Sequence, residues 1–167
     1  FFLDFMSNDA TQEDVIEQAK KLIADGFGVG GHTYSHYQDL KAWNTGQILS
    51  ELTMPMDIFE DRLHYTLKAF CYPRGRFNEK IKGLVKDAGY TSARTTKVLA
   101  TDKGDDPYEM PTTIHCFERK EYEGKDWLDV AKELYNQGDY FHVWMHYKEI
   151  SRPGELNKFE QLLKCIK

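Results

Sequence analysis

The sequence has no block of basic residues. Its 22 Lys and Arg are interleaved with 27 Asp and Glu, and the net charge is −5. Such a chain offers no continuous positive surface to a phosphate backbone, which argues against a nucleic-acid partner. No apolar run approaches the roughly 20 residues that a helix needs to span a bilayer, so no transmembrane segment is expected. Cysteine is scarce: Cys71, Cys116 and Cys165 are widely spaced and form no CxxC pair. An odd count argues against a full disulfide framework, and the three read as small buried hydrophobes. Internal repeats, linkers and low-complexity segments are also missing. The chain begins Phe-Phe-Leu-Asp-Phe, inside what reads as a β-strand, with no leader and no capping turn. The expectation is a piece of a longer protein, so localisation is unknown from the chain itself.

What is present points to one soluble globular domain over residues 1–167. Hydrophobic residues make up 41% and charged residues 29%, and the length suffices for a real core. Phe1 to Phe5 reads as a strand, followed by a turn at Ser7-Asn8-Asp9. A helix is predicted from about Gln12 to Asp25, with Val15, Ile16, Ala19, Leu22 and Ile23 at helical spacing and Gly26 as the stop. Phe27 to Gly31 is a second strand. A long helix then runs to about Leu67, with Pro55 expected to kink or break it. Ala69 to Tyr72 is a third strand; a helix opening at Asn78 or Glu79 closes at Gly89. Tyr90 to Thr95, Ile114 to Phe117 and Tyr140 to Met145 complete the strands. Asp126 to Asn136 and Glu155 to Ile166 complete the helices, the last with Leu156, Phe159, Leu162, Leu163 and Ile166 on one side. This β-α alternation argues for a parallel sheet covered by helices, in a barrel or an open doubly wound sheet.

In parallel α/β folds, functional groups gather beyond the carboxyl ends of the strands. His32 and His36 follow the second strand here. Pro73, Arg74, Gly75, Arg76 and Asn78 follow the third, Arg94 ends the fourth, and His146 ends the sixth. Four of the six histidines form two H-x3-H pairs, His32/His36 and His142/His146. Two imidazoles four apart can reach one cation at helical spacing; capping or surface histidines give the same pattern. Gly28, Gly30 and Gly31 before the first pair allow close approach of a backbone or ligand. In "YFHVWMH", alternation puts His142 and His146 on one strand face. His142 reads as a satisfied core histidine and His146 as the proton-transfer candidate. His64 and His115 have no partner in sequence and read as structural. Tyr72, Tyr147, Trp144 and Trp127 offer aromatic faces that suit sugar rings or a core.

"FFLDF…VIEQAKKLIADGFGVGGHTYSH", "FCYPRGRFNEKIKGLVKDAGYTSARTT" and "YFHVWMHYKEI" together resemble the polysaccharide deacetylases, carbohydrate esterases with the nodulation-type (NodB-like) homology domain. The first block is similar to the family's strand-helix-strand and its H-[ST]-x-x-H metal motif. The second resembles its third motif, and the last its late strand ending in a catalytic histidine. The resemblance implies a distorted (β/α) barrel. It also implies a hydrolase that removes acetyl groups from an N- or O-acetylated glycan with metal-activated water. His32 and His36 correspond to the metal's histidines and His146 to the acid that protonates the leaving amine. Tyr72, Arg74, Asn78 and Trp144 are the expected substrate contacts, with a backbone oxyanion donor near Arg74. The cofactor implied is a divalent metal: zinc, with cobalt, nickel or manganese as alternatives. Most relatives act outside the cytoplasm, at the cell envelope.

Two departures accompany the resemblance. The family's first motif, a strand ending in paired aspartates that supply a metal ligand and the general base, corresponds to a segment upstream of Phe1. Asp105-Asp106 sits in a loop and does not replace it. A barrel without that strand would leave an open edge for association. Many members also carry an arginine where Cys71 stands, two residues before the third-motif proline; here an arginine follows that proline, as in a branch with Tyr-Pro-x-Gly. Asp126-Trp127 echoes a fourth motif. Two other functions fit the same residues: a non-catalytic glycan-binding relic, and an amidohydrolase acting on a small cyclic amide.

Overall fold

The structure is a computed structural model and describes residues 1–5, 11–37 and 39–166. The expected turn at Ser7-Asn8-Asp9 lies outside the described residues. The chain forms two compact units, one of Phe1–Thr95 with Asp106–Met110, the other of Thr96–Asp105 with Pro111–Lys167. No helix among the described residues is long and apolar enough to cross a membrane.

The first unit alternates as the sequence predicts. Strands β1 (Phe2–Leu3), β2 (Gly30–Gly31), β3 (Ala69–Cys71) and β4 (Ser92–Arg94) pair in that order, all parallel. Helices α1 (Gln12–Ala24), α2 (Thr45–Leu63) and α3 (Glu79–Asp87) connect them. Each start is set by a side chain that satisfies an orphan amide of the first turn. Thr11 and Asp14 form a capping box on α1, Asn44 and Gln47 another on α2, and Asn78 Oδ1 accepts from Ile81 N at 2.9 Å on α3. Val15, Ile16 and Ala19 bury one side of α1, as their spacing predicts.

The two adjacent glycines of β2 are explained by packing. A Cβ on Gly31 would collide with the Tyr90 hydroxyl, and one on Gly30 would lie 2.7 Å from the Ala69 carbonyl oxygen. The close approach that the glycines permit is that of the core, not of a ligand. Around them Phe70, Tyr72, Tyr90, Leu52 and Phe59 are essentially inaccessible. Each such aromatic or leucine contributes about 1.5–3 kcal/mol by leaving water.

Helix α2 differs from expectation twice. It ends at Leu63, because His64 takes a left-handed conformation (φ 50°) and turns the chain toward β3. It also runs through Pro55 without a break. Proline has no N–H, so the Glu51 carbonyl one turn earlier lacks its helical donor. Tyr34 N–H fills that vacancy from outside the helix, at 3.0 Å.

The second unit holds β5 (Ile114–His115) and β6 (Val143–Trp144), paired parallel in register Ile114↔Val143 and His115↔Trp144. Helices α4 (Trp127–Leu134), α5 (Tyr147–Ile150) and α6 (Glu155–Cys165) pack beside them. Ile114, Cys116, Trp127, Ala131 and Leu162 form its core. Asp126 and Trp127 have structural work: Asp126 caps α4 by accepting from Leu128 N, and buried Trp127 donates Nε1–H to Glu155 at 2.6 Å. On α6 only Leu162 is fully buried, while Leu156 and Leu163 are more than half exposed, against the predicted single face. Cys71 and Cys116 are buried as expected, and burial pushes both thiols up to about 12; Cys165 is exposed.

Candidate active site

The two histidines of "HTYSH" follow β2 directly, at the carboxyl edge of the first sheet. Their rings lie side by side, with centroids 4.7 Å apart. The segment is a loop rather than the helical turn that H-x3-H spacing suggests. Two left-handed residues, Thr33 (φ 65°) and His36 (φ 54°), fold it back. His36 N donates to Thr33 Oγ1 at 3.0 Å, and Thr33 is completely buried.

His32 Nδ1 lies 2.7 Å from the Cys71 carbonyl oxygen on the neighbouring strand. A carbonyl only accepts, so Nδ1 carries the proton and the neutral ring keeps its lone pair on Nε2. That is the tautomer a metal ligand requires, held by the kind of outer contact that orients ligating histidines. Two imidazoles in contact suit a divalent transition metal.

Glu51 on α2 holds the loop. Only 8% exposed, it accepts from Ser35 N at 2.8 Å and from Ser35 Oγ at 2.9 Å. Its main-chain carbonyl is the one released by Pro55 and taken by Tyr34 N. One residue therefore fixes two of the three positions between the histidines, Tyr34 and Ser35. Hydrogen bonds to a charged group contribute about 1.5–3 kcal/mol. Glu51→Ala is therefore expected to cost about 2–4 kcal/mol in urea unfolding, and to weaken zinc binding measured by calorimetry. Unchanged zinc affinity would show that the loop holds its shape without Glu51.

The segment after β3 divides the expected substrate contacts. Arg74 is exposed and left-handed (φ 55°, ψ 17°), a backbone state that costs a non-glycine residue about 1 kcal/mol. Tyr72 has no accessible surface; its ring stacks on Phe77 at 4.5 Å and its hydroxyl donates to the Tyr108 carbonyl at 3.1 Å. It belongs to the core and offers no face to a sugar, which corrects the sequence reading. Asn78, likewise, spends its side-chain oxygen on the α3 cap. Among the described residues, three of the six non-glycine residues with positive φ, Thr33, His36 and Arg74, lie in the loops that follow adjacent strands β2 and β3. Such strain concentrates where function holds it.

In the second unit, His146 lies two residues beyond the end of β6, not in the strand as expected, and caps α5, with a side chain 57% exposed. Trp144 lies against it edge-on, centroids 5.0 Å apart, and stacks its face on His115 at 3.7 Å. Glu149 Oε2 accepts from His146 N at 2.9 Å and sits 2.8 Å from both His146 Nδ1 and His115 Nε2. Burial pushes the Glu149 carboxyl up, but the bonds from His115 and His146 outweigh it and hold it below the usual range. Burial lowers His115, opposed in part by Glu149. His142 is satisfied, with Nδ1 2.8 Å from Thr112 Oγ1.

Among the described residues, His115, His146 and Glu149 form the one trio of potential ligand atoms within 4.8 Å of each other. No third such atom among those residues closes on the His32/His36 pair. Sequence reasoning missed three functional candidates: Glu51, His115 and Glu149. His115 had a usable signal, since it too stands at the carboxyl end of a predicted strand.

The polysaccharide deacetylase family model matches residues 4–93, more than half of the chain. No curated protein sequence matches it. Among solved structures, the chain is similar to the chitin deacetylase of the fungal pathogen Colletotrichum lindemuthianum, with a TM-score of 0.64 at 18% identity, covering 98% of this chain and 68% of that one. A family 4 carbohydrate esterase from Streptomyces lividans, in complex with acetate, gives 0.58 at 14%, over 99% and 74%. The Streptococcus pyogenes deacetylase PplD, also with acetate, gives 0.56 at 19%, over 64% and 46%. The chain thus spans less than half of the length of that last relative. These likenesses show the fold, an α/β domain of the polysaccharide deacetylase type.

Proposed function

The chain belongs to the polysaccharide deacetylase family, and we propose from that premise that it serves a hydrolase removing acetyl groups from an acetylated polysaccharide. The observation that carries this reading is the HTYSH loop: two adjoining imidazoles, one fixed by a main-chain carbonyl in the tautomer that binds metal, inside the segment the family model matches. His32 and His36 would hold a divalent cation, zinc by ligand type. Bound there, such an ion supplies polarisation of a carbonyl and a water acidified to near neutral pH.

The chain's own groups do the rest. The Cys71 carbonyl and Glu51 keep the two rings in place. Arg74, exposed on a strained turn, is the candidate to orient the glycan. His146 is the proton donor for the departing amine, which leaves poorly as an anion. Trp144 has one ring face covered by His115, which leaves its other face and its edge for a sugar. The polysaccharide is N- or O-acetylated, and the enzyme works outside the cytoplasm, at the cell envelope.

The test is acetate release by the intact protein from acetylated oligosaccharides, with small cyclic amides as the comparison. Release from the sugars, lost on chelation and restored by zinc, is the expected result. Turnover of the cyclic amides alone, or glycan binding without any acetate, would overturn it.

A further inference from the structure

Glu149 is an ionised carboxylate facing two imidazole nitrogens and one amide, all through a single oxygen. An ionised carboxylate only accepts, so both ring nitrogens must carry protons. This assigns Nε2–H to His115 and Nδ1–H to His146. The His115 assignment has independent support. Its other nitrogen, Nδ1, is buried with no hydrogen-bond partner among the described residues, in a residue 4% exposed. An orphaned lone pair or N–H there costs about 1–3 kcal/mol either way, but with Nε2 already protonated a proton on Nδ1 would also make the ring a buried cation, which costs more. His115 is therefore neutral and donates through Nε2.

We propose that Glu149, held by His115, is the positioning residue that fixes His146 as the Nδ1–H tautomer and turns Nε2 outward as its proton-transferring atom. His115 stacks flat on Trp144 and sits on β5, so it is a rigid support. Glu149 lies one turn into α5, where His146 N–H also binds it, so ring and backbone of His146 are anchored to one oxygen. This inference deepens the proposed reaction and rests on it for the identity of the step. As acid, His146 is the imidazolium with protons on both nitrogens: as the C–N bond breaks, its electron pair stays on nitrogen and takes the Nε2 proton, and the ring is left as the neutral Nδ1–H tautomer on Glu149.

The tautomers are readable without substrate, by long-range proton–nitrogen NMR of histidine-labelled protein. The expected spectrum shows His146 protonated at Nδ1 and His115 at Nε2. Free imidazole prefers the Nε2–H form, so Glu149→Ala should switch His146 to that form. Glu149→Gln, whose amide oxygen still accepts, should retain Nδ1–H, and far-UV circular dichroism controls for loss of the α5 cap. Nε2–H at His146 in the wild type, or no switch in Glu149→Ala, would overturn the proposal. So would zinc that shifts His115 and His146 together, since the trio would then be a metal site. None of these readouts depends on deacetylation, so failure of that reading is separately visible in the acetate assay.

Discussion

Replacing His32 by alanine is expected to empty the protein of zinc. Within the HTYSH pair its ring is the one whose tautomer a hydrogen bond assigns, Nδ1 being held 2.7 Å from the Cys71 carbonyl. Losing an outer contact of this kind costs 10- to 100-fold in affinity; losing the ligand itself should cost at least about 100-fold. Isothermal titration with zinc reads the effect. His32→Ala should leave the fold intact, because the ring is only part-buried and the loop is held by Thr33, Ser35 and Glu51. Wild-type stoichiometry in this variant would dismiss the ligand assignment.

His146→Gln should act on the rate and not on the metal. General acid catalysis typically contributes about 10²–10⁴-fold, and the loss should fall in that range for an N-acetyl substrate. The same variant should lose far less on an O-acetyl substrate, because an alkoxide leaves more readily than an amide anion. A kcat comparison on matched N- and O-acetylated sugars measures this, with zinc content as the control. Equal losses on both substrates would indicate that His146 serves structure, through its contacts with Trp144 and Glu149.

The parallel alternation was legible because helix starts and stops are local. Asn78 stands at a predicted helix start and caps α3, and Val15, Ile16 and Ala19 mark the buried side of α1. The strands are shorter than their apolar runs, two or three residues each, since β2 ends where Thr33 turns left-handed. The histidine pair was visible from its spacing, but the cause of its proximity was not. Left-handed backbone at Thr33 and His36 does what a helical turn was expected to do. Tyr72 was misread because position after a strand says nothing of burial, and Asn78, expected both to open a helix and to touch substrate, spends its side-chain oxygen on the first. Glu51 and Glu149 were invisible for another reason: Glu51 reaches Ser35 across 16 residues, and Glu149 reaches His115 across 34. Pro55 shows the same limit. Its missing N–H predicts a damaged helix, and only the fold reveals that Tyr34 N–H repairs it.

The central claim is that HTYSH is a metal centre, and crystals of the intact protein grown with zinc test it most directly. Anomalous scattering recorded at the zinc edge should place one peak between the His32 and His36 rings, beside His32 Nε2. A peak among His115, His146 and Glu149 with nothing at the HTYSH loop would contradict both the metal assignment and the role given to His146.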